Sequence, residues 1–156
     1  MEWRECQEIR VLERQVHSLV YEYAGAWNRH DAEELAALYA DDALYEDLLL
    51  RVALHGSPAI RGHVRQVFSD SSDAVLALGA EPLASGDRAC FEWLMVGERD
   101  GQTREVRGVS VMLIEDGRIV RQTDYPHPTA PDTEGRVATT ARAAPAPVED
   151  NVAWGE

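Results

Sequence analysis

The sequence contains no lysine; all 15 of its basic residues are arginine. That absence excludes Schiff-base chemistry on a protein amine, and with it a covalent pyridoxal site or a P-loop lysine. Positive charge is scarce altogether, since 28 acidic residues bring the formal net charge to −13. A chain this acidic, with no run of clustered arginines, is repelled by phosphate backbones and anionic lipid surfaces. Neither a nucleic acid nor a membrane is therefore an expected partner. Cysteine is limited to Cys6 and Cys90, too few for a disulfide framework. The five histidines show no metal-ligand spacing, so no metal site is expected. There is no Gly-x-Ser-x-Gly elbow and no phosphate-cradling glycine loop. No stretch approaches the ~18 apolar residues that span a bilayer, and the charged start does not read as a secretion signal. A cytoplasmic location is the expectation.

What is present reads as one domain. Ile9, Leu12, Val16, Leu19, Val20, Tyr23, Ala24 and Trp27 recur in steps of three and four, which predicts a long amphipathic helix over about 5–28. Asp31 precedes Glu34 by three residues, a capping box that opens a second, short helix. The run 43–50 reads as a strand. Ser57-Pro58 supplies an N-cap and a proline at the first helical position, predicting a third helix to about Phe68. The period then changes to alternation, with strands expected near 75–84, 88–96, 103–114 and 118–125. Asp100-Gly101 and Asp116-Gly117 carry the signature of two-residue hairpin loops. Helices followed by a meander indicate an α+β fold. Beyond about Pro128 the chain is rich in alanine and proline and poor in large apolar residues. The expected division is a domain over 1–127 and a flexible tail over 128–156.

Two-residue loops at both hairpins fix an expected register. Glu92 pairs with Val109, Val109 pairs with Asp124, and Arg107 lies one pleat away on the same face. Two carboxylates and a guanidinium on an otherwise apolar face cost several kcal/mol per charge unless paired, so their placement points to chemistry. A carboxylate in such surroundings has a raised pKa and exchanges protons near neutrality. One bulge in either hairpin would send part of this row to the opposite side. That opposite side carries Phe91, Trp93, Met95, Met112, Ile114, Ile119 and Tyr125. With the helices closing the carboxylate side into a pocket, this second apolar face is expected to meet another copy of the chain. The expected partner is thus a homodimer formed through the face bearing Trp93 and Tyr125.

Several ordered stretches resemble the SnoaL-like polyketide cyclase branch of the nuclear-transport-factor-2-like superfamily. They are Ala26-Trp27-Asn28-Arg29-His30-Asp31, Leu38-Tyr39-Ala40-Asp41-Asp42-Ala43, Gly56 with Ala59-Ile60-Arg61, Glu92-Trp93, Arg107-Gly108-Val109-Ser110-Val111, and Asp116-Gly117-Arg118-Ile119 leading to Asp124-Tyr125. They span roughly 15–126. The resemblance implies a cone-shaped curved sheet, mixed or antiparallel, packed on three N-terminal helices around an internal pocket. It also implies frequent dimerisation and chemistry without a metal or organic cofactor. Relatives of this kind include polyketide cyclases, limonene-epoxide hydrolase, ketosteroid isomerase and scytalone dehydratase. Asp124 matches the acidic residue on the last strand that serves the cyclases and the epoxide hydrolase as acid or base. Glu92 and Arg107 match the remaining epoxide-hydrolase groups less cleanly, and Pro126-His127-Pro128 departs from the usual ending.

The candidate catalytic set is therefore Asp124 as proton carrier, with Glu92 and Arg107 tuning it. Tyr45 and Asp47 share one face of the first strand and, with Trp27 and Tyr23 on the first helix and His55 beside Gly56, form the candidate substrate-binding set. The expected function is a cofactor-independent cyclase or isomerase acting on an apolar polyketide- or terpenoid-like molecule, with epoxide opening as a variant. The alternative is a non-catalytic binding or dimerisation module of the same fold.

Overall fold

The computed structural model describes residues 3–99 and 101–128. Pro128 ends the last strand, and the rest of the expected tail lies outside the described residues. Three helices come first or early: α1 (Trp3–Asn28), α2 (Ala32–Ala37) and α3 (Ser57–Asp70). The strands are β1 (Tyr39–Asp47), β2 (Val52–His55), β3 (Val75–Leu78), β4 (Leu83–Ser85), β5 (Arg88–Arg99), β6 (Gln102–Glu115) and β7 (Arg118–Pro128). The expected α+β architecture is the one observed: a curved, unclosed seven-stranded sheet with helices on one face.

Each helix start has a local cause. Asp31 Oδ1 accepts from the backbone N–H groups of Glu33 and Glu34, as the capping pattern predicts, while Glu34 turns outward to pair with Arg29. At α3 the cap is Gly56, not Ser57. Its φ of 87° suits glycine, and an added Cβ would stand 3.2 Å from the Asp41 carbonyl oxygen. Ser57 instead donates to the Ala36 carbonyl at 3.1 Å, tying α3 to α2. The apolar stripe of α1 buries Val16, Leu19, Val20 and Tyr23, but Ile9 and Leu12 remain exposed.

The sheet order is β2-β1-β7-β6-β5-β3, with β4 also on β5. The expected 75–84 strand is thus two short strands, β3 pairing the far half of β5 and β4 its beginning. Only β1 and β7 run parallel among these pairs. The β5–β6 hairpin has the predicted register, with Glu92 opposite Val109. The β6–β7 hairpin does not. Ile114 pairs with Ile119, but Leu113 pairs with Arg121, so Val120 is an extra residue in β7. Such a bulge reverses the facing of everything beyond it. Asp124 therefore lies opposite Ser110, and Tyr125 opposite Val109.

The helices cover the face bearing Phe91, Trp93, Met112, Ile114 and Ile119, all buried. This corrects the expectation that they close the Glu92 side. Apolar burial explains the choice, since each large side chain removed from water contributes roughly 1.5–3 kcal/mol. The expected dimer face bearing both Trp93 and Tyr125 is not one face: Trp93 points into the core, and Tyr125, 50% exposed, stands on the other side beyond the bulge.

Candidate functional site

The bulge at Val120 turns Gln122 and Asp124 into the apolar interior, where they meet Ser110, placed there by the alternation of β6 with Met112 and Ile114. Ser110, Gln122 and Asp124 are 1%, 0% and 6% exposed. Burying such groups is costly unless their hydrogen bonds are made, and here they are. Asp124 Oδ1 accepts from Ser110 Oγ at 2.6 Å and from Gln122 Nε2 at 2.8 Å, and Oδ2 accepts from the Tyr45 hydroxyl at 2.8 Å. The donors are themselves oriented. Trp93 Nε1 donates to Ser110 Oγ at 2.9 Å, which leaves the serine proton for Asp124. The Tyr39 hydroxyl donates to Gln122 Oε1 at 2.7 Å, turning the amide N–H groups toward Asp124 and the Tyr23 hydroxyl.

The parallel β1–β7 pairing completes the site, setting Tyr45 beside Gln122 and Asp47 beside Asp124. Asp47 is buried, and its Oδ1 accepts from the Leu50 backbone N–H at 2.7 Å. That bond anchors the turn between β1 and β2, where Arg51 has a φ of 54°. Above these strands lies a cavity of about 80 Å³, walled by Tyr23, Trp27, Tyr45, Trp93, Ile60 and Val64 among others. His63 and Leu50 also line it, Leu50 being 57% exposed and so at the mouth. The His63 ring centroid stands 5.8 Å from that of Tyr45. Trp27 is half-buried, and its Nε1 is buried with no acceptor among the described residues.

Burial pushes the Asp124 carboxyl above the ordinary carboxylate range, and the negative charge of Asp47 adds to that. The three donors from Ser110, Gln122 and Tyr45 pull in the other direction without cancelling it. Tyr45 is held far above the usual phenol value by burial first and by Asp124 second, so it stays a donor at any physiological pH. A carboxylate offers about four lone-pair positions. Among the described residues three are taken, two on Oδ1 and one on Oδ2. Among the described residues, no group of three or more His, Cys, Asp or Glu side chains is arranged to hold a metal ion.

Of the sequence-expected residues, Asp124, Tyr45, Asp47, Trp27 and Tyr23 line this cavity. Glu92 and Arg107 do not: both are exposed on the outer face, where β5 and β6 place them by the predicted register. The tuning groups expected there are replaced by Ser110, Gln122 and Tyr45. His55, at the end of β2, is exposed and absent from the lining, while His63 on α3 is present in it. Ser110 and Gln122 were legible as polar positions in apolar runs. Their joint placement with Asp124 required knowledge of the bulge.

No curated protein matches the chain. Among solved structures, a candidate ketosteroid isomerase from Kribbella flavida aligns with a TM-score of 0.67 and 21% identity, covering 83% of this chain and 94% of its own. Bal32a, from a soil-derived mobile gene cassette, aligns with a TM-score of 0.67 and 19% identity over 74% of this chain and 91% of its own. AclR, a candidate hydroxylase from Streptomyces galilaeus, gives 0.63 and 18% over 74% and 80%. At these identities the likeness speaks for the fold, shared by proteins whose names denote different chemistry. The sequence itself matches the SnoaL-like domain family over residues 20–122. The chain belongs to the SnoaL-like domain family.

Proposed function

We propose that this protein is a cofactor-independent isomerase or cyclase that moves a proton on a small, largely apolar substrate, with Asp124 as the general base. The observation that carries this reading is the buried Asp124 carboxylate, held by three donors and lining a cavity. A general base needs a pKa near the working pH and a fixed position, and burial beside Asp47 favours both. The fixed donors keep the carboxylate from rotating, so its position relative to a guest is set. In this scheme Asp124 removes a proton from carbon, and the charge that develops on the substrate oxygen is met by Trp27 Nε1, a buried donor without an acceptor among the described residues. Asp124 then returns the proton to a second carbon or to oxygen, which completes an isomerisation or leaves a nucleophilic carbon for ring closure. Epoxide opening is the less favoured variant, because among the described residues no arginine lines the cavity.

The test does not require the natural substrate. Small cyclic ketones and enones incubated in heavy water with the protein should take up deuterium next to the carbonyl faster than in buffer alone, measured by mass spectrometry. Asp124→Asn should lower that excess rate by about 10²–10⁴-fold. Uptake at the same rate in the variant, or none above buffer with any carbon acid in the panel, would support a purely binding role instead.

A further inference from the structure

Among the described residues, the cavity is lined by two carboxylates and no arginine. Asp47 and Asp124 are register neighbours on parallel strands, and both are buried. Neither makes an ion pair with an arginine among the described residues. Among the described residues, the arginines that pair do so at the surface: Arg29 with Glu34, Arg61 and Arg65 with Glu33, Arg88 with Asp87, Arg118 with Asp41, Arg121 with Glu46. His63 is the only histidine among the described residues of the lining, and it stands on α3 against the Tyr45 ring. Among the described residues Asp47 accepts one hydrogen bond, at Oδ1 from the Leu50 N–H. Around the two acids stand the rings of Tyr23, Trp27, Tyr39, Tyr45 and Trp93.

Ring faces are the negative ends of aromatic quadrupoles, and they attract a desolvated cation as carboxylates do. Neighbouring carboxylates repel each other when both are ionised, and a cation between them relieves that repulsion. A net charge of −13 raises the local concentration of cations further. From this combination we infer that the cavity takes a ligand bearing one compact organic cation, a protonated or quaternary amine, seated against Asp47 and the aromatic walls. An alkylated ammonium fits better than a hydrated metal ion, because most of the wall is apolar. This deepens the proposed function, since it rests on the same cavity being the working site, but it does not depend on which reaction occurs there.

Choline and 3,3-dimethylbutan-1-ol are close isosteres that differ in one positive charge and share a hydroxyl group. Each is titrated into the full chain by calorimetry, with the indole N–H signals followed by NMR. Choline should bind at least about tenfold more tightly and shift the Trp27 and Trp93 indole resonances. In Asp47→Asn that preference should vanish while the alcohol binds as before. Equal binding of the two, a preference for the alcohol, or no binding of either would overturn the inference. So would choline binding that leaves both indoles unmoved, a result readable in the unmodified protein should Asp47→Asn fail to fold. Because binding is read without turnover, a negative result here leaves the deuterium-uptake test of Asp124 intact, and the converse also holds.

Discussion

The two faces of the β6–β7 ribbon carry similar polar residues and treat them in opposite ways. On the inner face Ser110, Gln122 and Asp124 are sealed from water, and each of their polar side chains is engaged within one connected set of hydrogen bonds. On the outer face Arg107 stands exposed, as does Glu92 on the adjoining β5, and Arg121 pairs with Glu46 across the strands in solvent. Water screens the outer charges, so their positions carry little energy. Inside, a misplaced donor would leave a buried carboxylate unsatisfied, at a cost of about 1–3 kcal/mol or more. The difference shows that residue type alone does not make a site: the carboxylate of Glu92, two strands away, is exposed on the other face and lies outside the cavity lining.

Substitutions can break or sharpen this contrast. The largest effect is expected for Asp124→Asn, which should cost about 10²–10⁴-fold in proton-transfer rate. Glu92→Gln and Arg107→Gln should leave the rate unchanged and stability within ~0.5 kcal/mol, as checked by the same uptake assay and urea melts. Next comes Gly108→Ala. The Trp93 ring lies over Gly108, where an added Cβ would collide with it, so overpacking should cost about 1–3 kcal/mol in a urea melt and loosen the Trp93–Ser110 bond. Smaller effects concern pH. The rate should fall as pH drops through the raised Asp124 value, because protonation removes the base. Tyr45→Phe deletes a donor that lowers that value, so the acid limb should move to higher pH. Asp47→Asn deletes a repelling charge, so the limb should move to lower pH. Glu46→Gln on the outer face is a small effect too, expected to cost ~0.2–1 kcal/mol.

Linkage gives one further check, with a definite sign. Asp124 binds protons more tightly folded than unfolded, so the native state holds more protons between the ordinary carboxylate range and the raised value. Stability therefore declines as pH rises through that window and levels off above it. Asp124→Asn should flatten this part of the profile in pH-dependent urea melts.

Much of the fold was legible, and the failures have single causes. The helices follow from the apolar period and from Asp31, and the β5–β6 register follows from Asp100-Gly101, as Glu92 opposite Val109 demonstrates. The β6–β7 register fails at one residue, Val120. A signal for it existed, because unbroken alternation from the buried Ile119 would carry Arg121 into the core beside Met112. That placement would desolvate a guanidinium without a partner. The β2 strand was missed because its turn, 48–51, contains Leu48, Leu49, Leu50 and Arg51, with no glycine, asparagine or proline to announce it. Tyr45 and Asp47 were recognised because alternation in β1 is unbroken where they sit. His63 was passed over in favour of His55 since helical facing toward a cavity depends on how α3 packs, which no local pattern encodes.

The bulge at Val120 has a consequence for descent. Point replacements in β7 leave its parity intact, so the acid can be traded for another side chain while the position remains an interior one. A single-residue insertion or deletion between Ile119 and Asp124 does the reverse, presenting Thr123 and Tyr125 to the cavity and expelling the carboxylate to solvent. Among sequences sharing this architecture, the length of that short segment is thus a sharper marker of a working acid than the mere occurrence of Asp-Tyr near the end of the domain.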